Sequence, residues 1–309
     1  MKILPFLKQG SLGLRISVLL LICVLGASEA SFFSLLLSLL IWDLPVDALQ
    51  HYSAYGTAGI AMMKFTQAFA SMGLFVFPPL IYASLIGQKP RHFLMLDERP
   101  SIPFLAFASI LMAIQLPWIN ALGSWNNSIE WGGMFRSVYE SMRAQEDAAA
   151  ALIADFLYMP GPIDLFQTLL IVALIPAIGE ELLFRGVVQP MLSEKRGVHF
   201  GVWITAFVFS FIHFQFFGFF PRFILGVILG YMVVWKKSLW YSIVAHFTNN
   251  ALAVIGYFAY QHQWIELNPD EWGTGENSLL WVCLSLIFGI VSFLTFYKFA
   301  KRQEQSALH

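Results

Sequence analysis

The chain has 309 residues, of which 58% are hydrophobic and only 12% charged, with a mean hydropathy of +0.68. That is more apolar surface than one soluble core buries, so the composition excludes an ordinary soluble domain and points to a polytopic membrane protein. A net charge of -1 gives no global field for nucleic acid, and Cys23 and Cys283 each sit in an apolar run, which argues against a structural disulfide or a cysteine-based metal site.

A sliding window of about 20 residues finds about eight candidate spans for a hydrocarbon core of about 30 Å. In chain order they are 16–42, 60–86, 102–123, 163–189, 200–217, 222–235, 239–260 and 279–299. The expected fold is therefore all-α, a polytopic membrane helix bundle enclosing an intramembrane cavity. The first span follows Lys2, Lys8 and Arg15, and its stretch 27–30 superficially resembles a signal-peptide cleavage site. Apolar sequence resumes at Phe32, which suits one long helix, or a pair hinged at 28–31, better than a cleaved leader. Glu29 then either lines the cavity or is a hinge carboxylate.

The connection 125–162 is the one long polar segment, and within it 134–157 alternates apolar and charged residues at helical spacing. It reads as an amphipathic helix on the outer membrane surface, either a lid that guides substrate or a plain interfacial helix. Gly226 and Gly230 form a GxxxG pair whose simplest use is close helix packing. With eight alternating spans, most cations fall on one side, including Lys2, Lys8, Lys89, Lys195, Arg196, Lys236 and Lys301. The other side gathers carboxylates such as Asp43, Glu130, Glu146 and Glu276, with Arg136, Arg143 and Arg222 against the trend. By the positive-inside rule both termini are expected in the cytoplasm, and the expected setting is the inner membrane of a prokaryote.

The chemistry concentrates in the fourth span, at Glu180-Glu181-Leu182-Leu183-Phe184-Arg185. Ionisable groups at membrane depth are costly unless paired or hydrated, so the default reading is a functional site in a protein-lined cavity. On an α-helical wheel, 181 and 185 lie ~40° apart and 180 and 185 ~140° apart, so Arg185 should pair with Glu181. Glu180 is left facing elsewhere, a carboxylate available as a general base.

Two further spans supply His213 and His246, and Asn250 lies one helical turn beyond His246 on the same face. Counted from the basic ends, Glu180 lies ~15 Å in, His213 ~20 Å, His246 ~11 Å and Asn250 ~17 Å, one layer near the midplane displaced toward the cytoplasm. Glu180 and His213 can hold and deprotonate a water, while His246 and the Asn250 amide can donate to a developing oxyanion. Glu180, His213 and His246 also suit a divalent metal such as zinc, although no His-x-x-x-His or His-Glu-x-x-His is present. The residues leave both versions open.

Glu180-Glu181-x-x-x-Arg185, then Phe209-x-x-x-His213, then His246-x-x-x-Asn250 resemble, in order, the signature of the CPBP or Abi family of CAAX-processing and bacteriocin-processing intramembrane metalloproteases. The resemblance covers 165–260 and says nothing of the first three spans. It implies a conical intramembrane cavity and endopeptidase activity on a membrane-associated, CAAX-like or lipidated protein. It makes Glu180, His213, His246 and Asn250 catalytic, with Glu181, Arg185 and Phe209 as support. The implied organisation is N-terminal helices with the outer loop in 1–160, the catalytic core in 161–262, and a last helix with its tail in 263–309. A cytoplasm-facing site would suit a substrate entering from the inner leaflet. A non-catalytic scaffold or bacteriocin self-immunity protein on the same fold is the competing reading, and a proton-coupled transporter a third, for which the two related halves are not visible. The implied partners are a membrane protein or peptide substrate and the lipid bilayer, with no nucleic acid.

Overall fold

Within lipid every backbone polar group must be satisfied internally, and a chain this apolar does so with helices. The computed structural model describes residues 6–306 apart from Glu276, with side chains from 7 to 302; Lys2 and Glu276 of the charge sorting fall outside it. Among the described residues there is no strand. In chain order the long elements are α1 (Leu12–Trp42), α2 (Tyr52–Leu85), α3 (Ile102–Asn127), α4 (Arg136–Phe156), α5 (Pro162–Arg196), α6 (Val198–Phe211), α7 (Phe219–Lys236), α8 (Trp240–Gln261) and α9 (Leu279–Ser306).

Six described runs are long and apolar enough to cross a membrane, including α1, α2, α3, α5, α9 and one that contains α7. The protein is thus an integral multi-pass membrane protein. Two of the expected eight spans differ from that standard: α6 is apolar but only 14 residues long, and α8 carries His246, Asn249 and Asn250 on a less apolar helix. The expected span 200–217 ends early because the chain turns after Phe211, with Phe214 in the left-handed region at φ 53°. The Ser210 hydroxyl donates to the Phe219 carbonyl at 2.7 Å across this turn, and buried Asn126 bonds the Phe216 carbonyl and the Phe220 amide. α1 is one continuous helix through 28–31, and Glu29 lies exposed on it, outside the cavity lining.

Gly226 and Gly230 let α7 pack directly on α6. A Cβ at 226 would stand 3.0 Å from the Ala206 Cβ, and one at 230 would stand 2.8 Å from Gln189 Oε1. Both glycine carbonyls accept from α5, Gly226 from Arg185 Nη2 at 3.1 Å and Gly230 from Gln189 Nε2 at 3.2 Å. Close packing therefore also gives two buried polar side chains of α5 their partners.

Candidate active site

Prolines set the local shape of the two helices that carry the site's wall. α2 and α5 contain π-helical stretches at Met72–Val76, Leu169–Leu174 and Glu181–Val188. Each ends two residues before a proline, Pro78, Pro176 or Pro190. Proline has no N–H for the carbonyl four residues back and its ring crowds that carbonyl, so a widened turn relieves the clash. Pro176 frees the Val172 carbonyl, and the Asn250 amide of α8 donates to it at 3.4 Å. Asn250 is thereby tied to α5, while its Oδ1 accepts from Asn249 at 3.2 Å.

Glu181 and Arg185 are both fully buried, and Arg185 Nη1 donates to Glu181 Oε1 at 2.7 Å. The guanidinium also lies 4.7 Å from the centre of the Phe209 ring. The same Glu181 oxygen accepts from His246 Nδ1 at 3.0 Å. That bond fixes the ring so that Nε2 points at Glu180 Oε2, 3.7 Å away. The sequence reading gave Glu181 only to Arg185; the structure makes it also the group that orients His246. His213 is held likewise, its Nδ1 donating to the Phe209 carbonyl at 2.7 Å and its ring edge-on to Phe209 at 5.0 Å. Phe209 thus meets Arg185, His213 and, at 6.1 Å between centroids, His246.

Glu180, His213, His246 and Asn250 all line one cavity of about 520 Å³. The buried Glu181–Arg185 pair lies next to it, in sequence after Glu180 and through His246, but is not part of its lining. The cavity's roof is α4, through Ala149, Leu152, Ile153 and Phe156. α4 is anchored within its first half and near its C-terminal end. Arg143 donates to Asn127 Oδ1 at 2.6 Å and covers the Phe217 ring at 3.6 Å, while Tyr52 donates to Asp155 at 2.8 Å. The cavity therefore reaches the α4 end of the bundle, whereas depth counting displaced the layer toward the basic end. The difference arises because α6 stops at Phe211 and His213 sits in the turn beyond it.

The role of Arg222 in the cavity lining, and of Glu146 beside it, escaped the sequence reading. Arg222, counted there as an outer-side charge, lines the cavity from the first turn of α7, its guanidinium donating to Gln215 Oε1 at 2.6 Å and also to the Gln215 carbonyl. Its Nε is buried without a partner. Gln215 lies two residues after His213, so the turn that presents the histidine also holds this cation. Glu146 of α4 has one buried carboxylate oxygen without a partner; burial pushes its carboxyl above the usual carboxylate range, and Arg222 opposes that. The available signal was an arginine placed against the charge sorting.

The two imidazoles have the Nδ1 partners that orient metal-binding histidines, a carboxylate and a backbone carbonyl. Among the described residues, however, no three His, Cys, Asp or Glu side chains converge as a metal-binding group. This arrangement does not fit a three-ligand metal cage.

Residues 162–252 match the family described as type II CAAX prenyl endopeptidase Rce1-like. Through this segment, under a third of its length, the chain is similar to the CPBP family. The matched segment contains all three motifs and ends just past Asn250, and of their residues Glu180, Phe209, His213, His246 and Asn250 line the cavity. An uncharacterized protein, YpbD of Bacillus subtilis, is 34% identical over 92 residues, which is 28% of this chain and 42% of the relative. The chain thus spans less than half the length of that relative. No solved structure matches the chain.

Proposed function

We propose that the chain is an intramembrane endopeptidase that cleaves a membrane-associated protein with a water activated by Glu180. The observation that carries the reading is the approach of Glu180 to His246 inside a cavity that His213 also lines. At 3.7 Å the carboxylate and the imidazole are too far apart for a direct hydrogen bond, a spacing at which one water can bond both.

In the proposed reaction Glu180 takes a proton from that water as its oxygen attacks the substrate carbonyl carbon. The C–N bond then breaks, and Glu180 returns the proton to the leaving amine. His246, oriented by Glu181, and His213, held by the Phe209 carbonyl, present Nε2 as acceptors that position the water, leaving the developing oxyanion to an amide donor. Each such donor typically supplies a factor of about 10²–10³ in rate. The Asn250 amide keeps one N–H for the same purpose beyond its bond to Val172. The donor set does not close as a metal cage, so no step is routed through a metal. A CAAX-like or lipidated substrate follows from the family and belongs to this proposal.

The test is incubation of the purified protein in lipid with membrane-anchored peptide libraries, followed by mass spectrometry. New internal cleavage sites that Glu180→Gln abolishes are expected. A library left intact by folded protein would favour the non-catalytic scaffold.

A further inference from the structure

The two ends of the bundle differ in charge, and the cavity belongs to one of them. At one end lie Lys89, Arg91, Lys195, Arg196, Lys236 and Lys237, and the end is knit together by Arg15 to Glu194 at 2.8 Å and by the Leu239 amide to the Met95 carbonyl at 3.2 Å. At the other end lies α4, tied to α2 through Tyr52 and Asp155 and packed beside the Gln261 end of α8, where Gln261 Oε1 accepts from the Met159 amide. The basic residues in the connections of that end are Arg136 and Arg143, and Arg136 is paired with Glu140 at 2.8 Å. Arg222 is turned into the cavity and Lys64 is buried against Thr168, so neither adds a cation to that surface.

The cavity is asymmetric in the same direction. On the α5 turn that leads from Glu180 toward the basic end, Glu181 and Arg185 are each 0% exposed, and Gly226 and Gly230 pack closely on α6, none of them in the cavity lining. Toward the other end its lining comes from α4, from the α6–α7 turn at His213 and Gln215, and from the first turn of α7 at Arg222. Lys and Arg in short connections mark the cytoplasmic side of a multi-pass protein.

We propose that this cavity is served from the noncytoplasmic face. The substrate is then a membrane-anchored polypeptide whose cleavable segment already lies on that side, and the reaction class that supplies it is translocation of a chain across the membrane. A segment entering under α4 meets Arg222 before it meets Glu180, so the favoured segment carries an anionic group, a side-chain or terminal carboxylate. The word cleavable rests on the proteolytic reading above; the sidedness does not.

The experiment is thiol labelling with a membrane-impermeant maleimide in intact cells or spheroplasts and in inverted vesicles. The background carries Cys23→Ala and Cys283→Ala. Single cysteines report the two surfaces, Glu130→Cys and Lys195→Cys, and the cavity, Leu152→Cys and Ser71→Cys. Labelling of the denatured chain confirms that each thiol is present. Glu130→Cys and Leu152→Cys are expected to react from outside and to lose labelling in inverted vesicles, with Lys195→Cys the reverse; Ser71→Cys should follow Leu152→Cys. Reaction of Glu130→Cys from the cytoplasmic side overturns the proposal. So does a Leu152→Cys that stays unreactive, or reacts only from inside, while Glu130→Cys reacts from outside. Labelling needs no turnover, so a protein that labels as expected but cleaves nothing refutes the protease reading and leaves the sidedness standing.

Discussion

Glu181 Oε1 accepts two hydrogen bonds at once, from Arg185 at 2.7 Å and from His246 at 3.0 Å, and so couples the packing of α5 to the aim of the imidazole on α8. One carboxylate thereby serves both fold and site. Breaking a fully buried pair leaves an uncompensated charge and typically costs about 3–5 kcal/mol. Glu181→Gln should therefore lower the thermal midpoint and also release His246. In a Glu181→Gln background, His246→Ala should cost far less additional activity than it does in the wild type. Full additivity of the two losses would remove Glu181 from the positioning of His246.

The bond from Asn250 to the Val172 carbonyl exists because Pro176 cannot make the helical one. Pro176→Ala would restore a backbone N–H to that carbonyl. The stability cost of Asn250→Ala should then shrink in the Pro176→Ala background, with a coupling on the order of 0.5–3 kcal/mol, read by thermal unfolding of the four proteins of the cycle. Zero coupling would show that Asn250 does not fill the gap.

α4 should dock more tightly in acid. Burial raises the Glu146 carboxyl pKa in the folded state, and the groups around it are Arg222, the Phe217 backbone, Arg143 and Asp147. A carboxyl whose folded pKa is raised contributes stability that is complete below its unfolded pKa and is lost as pH rises through the raised value. Exchange of the α4 amides, corrected for the intrinsic rate, should therefore accelerate through that window, and Glu146→Gln should abolish the step. A step that persists in Glu146→Gln would assign it to another group.

Chelation should leave proteolysis in place. The two imidazoles are oriented by Glu181 and by the Phe209 carbonyl, yet among the described residues they and Glu180 do not converge as a group of three that could hold a metal. Activity assayed after dialysis against a strong chelator should match the untreated protein. Loss that returns with added zinc would replace the metal-free reaction with a metal-assisted one.

What the sequence discloses here divides by range. The Glu181–Arg185 pair is legible because residues four apart share a helix face, and the amphipathic α4 is legible from its charge alternation. The grouping of Glu180 with His213, His246 and Asn250 is visible through the order of their motifs. The Glu181–His246 bond is not, because it joins helices 65 residues apart and no local pattern encodes it. Arg222 looks like an outer-surface charge until α6 is seen to stop at Phe211, which brings the first turn of α7 into the cavity wall. The π-helical stretches escape a wheel drawn at 3.6 residues per turn, although prolines at 78, 176 and 190 mark where they end.

The most direct test of the account is turnover of Glu180→Gln, measured beside its thermal midpoint on a membrane-anchored peptide that the wild type cleaves. The substitution keeps the side chain's size and removes its capacity to accept a proton. The account predicts an unchanged midpoint with a rate loss of at least about 10²-fold, the lower range for a general base. A folded Glu180→Gln protein that cleaves at the wild-type rate would contradict it.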